Sequence, residues 1–426
     1  MAWLNFRALA SDVRLLFATR VLRMFAYGLL SVVLALYLSQ IGLSTRRIGA
    51  LLSLTLLGDT VISLWMTTSA DLRGRRKMLI GGALLMVLAG VIFALSRNYW
   101  VLLMAAIIGV ISPSGYEVGP FLPIEQAALS EIIAPAQRTG VFAWYNLVGS
   151  FAVGIGTLAG GGLAQGLRSF GLEPLTAYQL IVIMYAGVGL LLAFLFSQVS
   201  ASVEIRSTTS LDSRLAKPFL GLQQSKKVVF KLSALFGLDA FAGGFVMQSL
   251  LAYWFHLRFG LDPARLGAIF FGANLLAGIS ALSATKIAAR IGLINTMVFT
   301  HLPSNLLLIL VPLMPNATLA IIVLLLRFSI SQMDVPTRQA YTVSVVQPNE
   351  RSAAAGVTGI ARTIGAGISP VIVGSLFATA ALVNVPLFLA GGLKVVYDVL
   401  LYRSFKSTEP GEQETRRSPG HSSGDQ

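Results

Sequence analysis

The sequence predicts an all-α polytopic membrane protein with twelve transmembrane helices arranged as a 6+6 parallel repeat. Three observations predict it. The 426 residues are 55% hydrophobic and 12% charged with mean hydropathy +0.76, whereas soluble domains carry about 25% charged residues. Apolar runs of about 20 residues, the length that crosses a bilayer, recur along the chain. The two halves also resemble each other. The formal charge of +14 and pI near 10.3 would otherwise suggest a nucleic-acid binder; the apolar bulk argues for a membrane and no nucleic acid.

Apolar runs bounded by charge or by Gly, Pro and Asn place the spans at 15–40, 48–69, 78–96, 99–130, 139–164, 177–199, 231–256, 264–287, 291–313, 317–346, 353–380 and 384–403. The longest polar interruption, EIRSTTSLDSRLAKPFLGLQQSKK, divides six spans from six. The expected organisation is a six-helix unit at 1–199, a cytoplasmic central loop at 200–230, a second six-helix unit at 231–406 and a disordered cytoplasmic tail at 407–426, polar and Ser/Gly/Glu-rich. The N-terminus, Met1 to Arg14, has no apolar core followed by a small-residue cleavage site, so no cleaved signal peptide is expected.

Twelve spans put both termini on one side. That side carries 20 Lys/Arg: Arg7, Arg14, four in the 2–3 loop, Arg138, five in the central loop with Lys231 just after it, Lys286, Arg290, Arg351, and Arg403, Lys406, Arg416 and Arg417 at the C-terminal end. The other side carries six: Arg46, Arg47, Arg97, Arg168, Arg258 and Arg265. Positive residues favour the cytoplasm, so both termini are expected there, in a bacterial inner (plasma) membrane.

The repeat is visible in loop residues. Ile41–Leu52, IGLSTRRIGALL, matches Phe259–Phe270, FGLDPARLGAIF; Glu125–Arg138, EQAALSEIIAPAQR, matches Arg338–Arg351, RQAYTVSVVQPNER. Such same-topology repeats occur in some transporters. The first half has gained five residues before Glu125, and GVISPSGYEVGPFLP is where they fall. Asn98 to Ile133, if wholly helical at 1.5 Å per residue, would span about 54 Å, well beyond a core of about 30 Å. Pro113, Pro120 and Pro123, with Gly115 and Gly119, break it. The fourth span is therefore expected to be discontinuous, with Tyr116 and Glu117 at the break.

In the 2–3 loop, Asp71-Leu72-Arg73-Gly74-Arg75-Arg76-Lys77 resembles the cytoplasmic signature of the major facilitator superfamily, with Thr67 at its first glycine. A degraded second copy stands at Ala288-Ala289-Arg290-Ile291-Gly292. Twelve spans, the 6+6 split and the basic central loop extend the resemblance over nearly the whole chain. It implies two six-helix bundles around a central cavity that opens alternately to either side, with Asp71, Arg73, Gly74, Arg75 and Arg76 in the gating loop. Gly154, Gly156, Gly160 and Gly161 resemble the glycine-rich signature of drug/proton antiporters, with Thr157 where proline is expected. Close helix packing accounts for these glycines equally well.

Ionisable residues inside spans are functional candidates. Six bases (Arg20, Arg23, Arg327, Arg338, Arg362, Lys394) face six acids (Asp59, Glu117, Glu125, Asp239, Asp334, Asp398). Asp334 with Arg338, and Lys394 with Asp398, are i,i+4 pairs on one helix face. Arg362 joins the first pair as a candidate gate network; the second reads as a structural pair. Asp59, Glu117, Glu125 and Asp239 have no obvious local base and are the candidate proton carriers, since desolvation favours a protonated carboxyl. Arg20 and Arg23 could bind an anionic solute, or Arg20 could snorkel to the interface. His301 reads as a packed, hydrogen-bonded histidine.

The expected function is secondary active transport of a small solute by alternating access, with proton-coupled efflux of a drug or toxic metabolite preferred. Proton-coupled uptake or exchange of a small anionic metabolite, motivated by Arg23, Arg327 and Arg362, is the alternative, and a non-transporting sensor or scaffold on the same fold is the alternative from a different class. No enzyme is expected. There is no P-loop, no nucleophile–base pair and no metal-ligand spacing; cysteine is absent, and His256, His301 and His421 are scattered. The expected coupling ion is the proton with no cofactor, and the expected partners are the solute and the bilayer, with the chain functional as a monomer.

Overall fold

The computed structural model describes residues 11–200, 203–204, 224–347 and 350–406. Most of the central loop and all but the start of the tail lie outside the described residues, so the loop and disorder expectations there are not addressed. The Asp71 side chain is also outside them.

Five continuous helices and one broken span make the first half: α1 (Ser11–Gln40), α2 (Thr45–Arg73), α3 (Arg75–Leu95), α4 (Tyr99–Ile108) and α5 (Phe121–Ile132), α6 (Pro135–Ser169) and α7 (Pro174–Ser197). The second half comprises α8 (Lys226–Gly244) and α9 (Gln248–Phe259), α10 (Pro263–Ile291), α11 (Leu293–Leu310), α12 (Ala317–Ile330) and α13 (Asp334–Ser344), α14 (Arg351–Leu376) and α15 (Val385–Phe405). Among the described residues, eleven segments are long and apolar enough to cross a membrane unaided. The twelfth, the fourth span, is α4 and α5 joined by a non-helical stretch, as its prolines require.

Two further spans expected to be continuous are broken. Span 10 separates at 331–333, and Pro336 then falls in the first turn of α13, where its missing N–H costs nothing. Span 7 separates at 245–247, just after Gly243 and Gly244; a Cβ on Gly244 would run into Ala366 and Ser369 of α14.

Both the start of α1 and the end of α15 lie on what is here termed the terminal face. Four helices that start from the opposite face carry their own caps. Ser44, Asn98, Asp262 and Asn316 accept backbone N–H groups of α2, α4, α10 and α12. Two that start from the terminal face borrow theirs from far along the chain. Glu204 accepts from the N–H groups of Arg75 at 2.8 Å and Arg76 at 3.2 Å. Glu350 accepts from Gln224 and Ser225, both at 2.9 Å, ahead of α8.

The halves repeat in packing as well as sequence. In the first, α1 lies on α6 with Gly156 and Gly160 against the backbone at Phe25 and Leu29. In the second, α8 lies on α14 with Gly365 against the backbone at Gly237. The glycines that resembled an antiporter signature are thus packing residues, small enough for backbones to touch.

Between halves, α6 packs on α10 and α2 on α14. Both seams are tight toward the opposite face. Gly161 meets Gly267 and the Pro263 carbonyl, while Gly49 meets Gly374 and the Pro370 carbonyl, with no room for a Cβ. Ser53 accepts from the Val371 N–H at 2.9 Å, and Ser39 and Tyr253 hydroxyls meet at 3.2 Å. The two halves are thus in close contact toward the opposite face.

Candidate functional site

Among the described residues, each half holds a buried charge cluster beside a broken span. In the first half, Arg23 of α1 and Glu125 of α5 are fully buried and form a bidentate pair at 2.7 and 2.6 Å. Arg23 also donates to Glu117 at 2.9 Å, and Arg20 pairs with the same carboxylate. Tyr145 of α6 and Thr19 of α1 both donate to Glu125, at 2.5 and 3.3 Å. The Arg23 guanidinium covers the Phe121 ring at 4.6 Å, and Arg20 covers Tyr145 at 5.0 Å. The break is what allows this: it delivers Glu117 from a non-helical segment while α5 delivers Glu125.

In the second half, Asp239 of α8 takes Lys394 of α15 on one oxygen and Arg338 of α13 at 3.1 Å on the other. Arg338 also pairs with Asp334 at 2.9 Å. Asp398 is held by His301 at 2.8 Å and by Asn305 at 2.8 Å, both from α11.

The two clusters are related by the repeat with their signs reversed. Glu125 and Arg338 are equivalent positions. Glu125 takes its base from the first span of the first half; Arg338 takes an acid from the first span of the second.

Several sequence-level pairings change. Asp239, Glu117 and Glu125 have bases after all, supplied by other helices. Arg20 is buried against Glu117 rather than snorkelled. Lys394 and Asp398 share a face as expected but bond to different helices. Asp334–Arg338 forms as its spacing predicts, and Arg362 lies within electrostatic reach of both. His301 is hydrogen-bonded and buried, as read.

Among the twelve intramembrane charges, one acid and two bases stand apart. Asp59 of α2 is buried. Its oxygen is met by the Ser63 hydroxyl at 3.4 Å, and it lies against the backbone N–H of Gly119 in the break of the fourth span. No cation pairs with it among the described residues. Arg327 and Arg362 have no ion pair among the described residues either. Tyr116 sits in the same break and is 49% exposed.

The 2–3 loop turns at Gly74, whose φ of 101° suits a residue without a Cβ. Gly292 in the second copy has φ 83°. Arg75 is buried, donating to the Val203 carbonyl at 3.0 Å and lying 3.7 Å from Glu131. Arg76 donates to the Ser197 carbonyl, and Arg73 covers Trp65 at 5.1 Å. Glu204, which the sequence did not single out, fastens this loop. No local pattern marks it, because its partners are backbone N–H groups on another helix. Gly74→Ala is expected to cost about 1–3 kcal/mol through backbone strain and to crowd Glu204, whose carboxylate would lie 3.2 Å from the new Cβ. A lowered unfolding midpoint of the purified protein checks this.

The family model described as Major Facilitator Superfamily matches residues 16–370. The chain belongs to the major facilitator superfamily. It is 29% identical to an uncharacterized membrane protein of Saccharomyces cerevisiae, over 94% of this chain and 95% of that one. It is 22% identical to the quinolone resistance protein NorA of Staphylococcus aureus, over 88% and 91%. Among solved structures, a bacterial homolog of the human lysosomal transporter Spinster superposes with a TM-score of 0.71 at 15% identity, covering 96% of this chain and 98% of that one. As a major facilitator superfamily member with this fold, it is a multi-pass membrane transporter and not an enzyme.

Proposed function

We propose that the chain is a proton-coupled secondary transporter that exports a small solute by alternating access. It works as a monomer in the inner (plasma) membrane with both termini cytoplasmic. The observation that carries the coupling is Asp59, a buried carboxyl with no cation partner among the described residues, beside the break of the fourth span. Every other intramembrane acid is held by a base or, for Asp398, by His301 and Asn305. A paired carboxylate has little reason to take up a proton, whereas an unpaired one out of water is favoured in its neutral form. The 20-to-6 distribution of Lys/Arg supports cytoplasmic termini. The terminal face is then the cytoplasmic one, the side from which an exported solute is loaded. A relative named for quinolone resistance supports a drug-like solute.

The experiment uses everted membrane vesicles bearing the protein and a fluorescent quinolone. With the lumen made acidic, quinolone accumulation is expected to rise several-fold over vesicles without the protein and to collapse when an ionophore dissipates the pH gradient. Accumulation that ignores the gradient would overturn proton coupling.

A further inference from the structure

Near the break between α12 and α13 three polar groups have no partner among the described residues. Arg327, in the last turn of α12, is buried, and its Nε meets no acceptor. Ser331, one turn on, is buried with its hydroxyl unpartnered. Arg362 of α14 is half-buried with its Nε likewise sealed from solvent and unsatisfied. The neighbouring carboxylates are already engaged. Asp334 belongs to Arg338, Asp239 to Arg338 and Lys394, and Asp398 to His301 and Asn305. Both guanidiniums lie within electrostatic range of Asp239 and Asp334. Arg327 also interacts with Tyr116 of the other half. The second half therefore carries four bases against three engaged acids, and two of those bases have no ion pair among the described residues; they lie beside a broken helix, one of them within electrostatic range of an exposed phenol.

Unpaired charge is strongly disfavoured inside a membrane protein unless water or a ligand meets it. Planar guanidiniums match carboxylate and phosphate oxygens, which accept two N–H bonds at once. The hydroxyls of Ser331 and Tyr116 are donors of the same kind. A cationic solute would be repelled, and a neutral one would leave the charge of both guanidiniums uncompensated.

We propose that Arg327, Arg362 and Ser331, with Tyr116 facing them from the other half, bind the anionic group of the transported solute, a small organic carboxylate or phosphate. The proposal rests on the reading of the chain as a solute transporter and names its substrate class. Because the groups come from both halves, the bound anion bridges elements that part and close as access alternates.

The test measures the unfolding midpoint of the full-length protein in detergent against benzoate, succinate and glycerol 3-phosphate, with benzyl alcohol and benzylammonium as matched controls. At least one anion is expected to raise the midpoint saturably while neither control does. Arg327→Gln and Arg362→Gln are each expected to weaken that anion about tenfold or more, the loss of a hydrogen bond to a charged group; Arg327→Lys retains part of the effect. No shift with any of the three anions, equal shifts with the controls, or a shift unchanged in the double Gln variant would overturn the proposal. Should the Gln variants fail to fold, phenylglyoxal labelling of the unmodified protein replaces them. The effective anion should slow modification of Arg327 and Arg362, and unchanged labelling would overturn the site. The titration needs no pH gradient. Absent anion binding beside intact gradient-driven transport therefore overturns the substrate class alone, and anion binding without a gradient response overturns proton coupling alone.

Discussion

Replacing Arg23 by Met is expected to destabilise the protein by about 3–5 kcal/mol, the cost of removing one partner from a buried ion pair, and to abolish transport. Among the described residues, Arg23 is the one base that reaches both carboxylates of the first cluster, at 2.9 Å to Glu117 and 2.6 Å to Glu125. Without it, Glu125 keeps only the Tyr145 and Thr19 hydroxyls, and Glu117 keeps only Arg20. Glu125→Gln should cost less, because Arg23 retains Glu117. The double variant Arg23→Met, Glu125→Leu should recover part of the lost stability, since an apolar pair carries no desolvation penalty, but not transport. Unfolding midpoints of the three purified variants order these expectations. An Arg23→Met variant as stable as the parent would mean that the cluster is hydrated rather than sealed.

Gly161→Leu is expected to reduce transport at least about tenfold by prising apart the closed seam. The new side chain would collide with the Pro263 carbonyl and Gly267 on α10, and overpacking of this kind costs about 1–3 kcal/mol. Applied to one access state only, that shifts the balance between states by about 5- to 150-fold. The chain has no cysteine, so a single Thr157→Cys substitution, at a site fully buried beneath this seam, reports it directly. A membrane-impermeant maleimide added from the opposite face should label the introduced thiol faster when Gly161→Leu is also present. Unchanged labelling would show that the seam does not gate access.

Much of the fold was legible because bilayer length, charge asymmetry and repeat spacing are local properties of the chain. The fourth-span break was legible for the same reason, since three prolines and 36 residues cannot make one straight crossing. The i,i+4 pair of Asp334 and Arg338 formed as spacing implies. Spacing misled at Lys394 and Asp398, whose shared face does not decide which neighbouring helix each meets; α8 claims one and α11 the other. Asp239 looked unpaired because its bases lie 99 and 155 residues away. Glu204 and Glu350 were illegible because they cap helices they do not belong to. The break in span 7 depends on how closely α14 approaches Gly244, a tertiary fact. The even count of six bases and six acids concealed two bases against three acids in the first half and four bases against three acids in the second; which of them lack a partner only the pairing reveals.

The coupling of transport to protons through Asp59 is tested most directly in proteoliposomes holding either the parent protein or its Asp59→Asn variant, with labelled-quinolone exchange measured with and without a pH gradient. The parent should exchange quinolone in both conditions and accumulate it several-fold only with the gradient. The Asp59→Asn variant should retain exchange while its accumulation ratio falls to that of the gradient-free control. Undiminished gradient-driven accumulation by that variant would contradict the account.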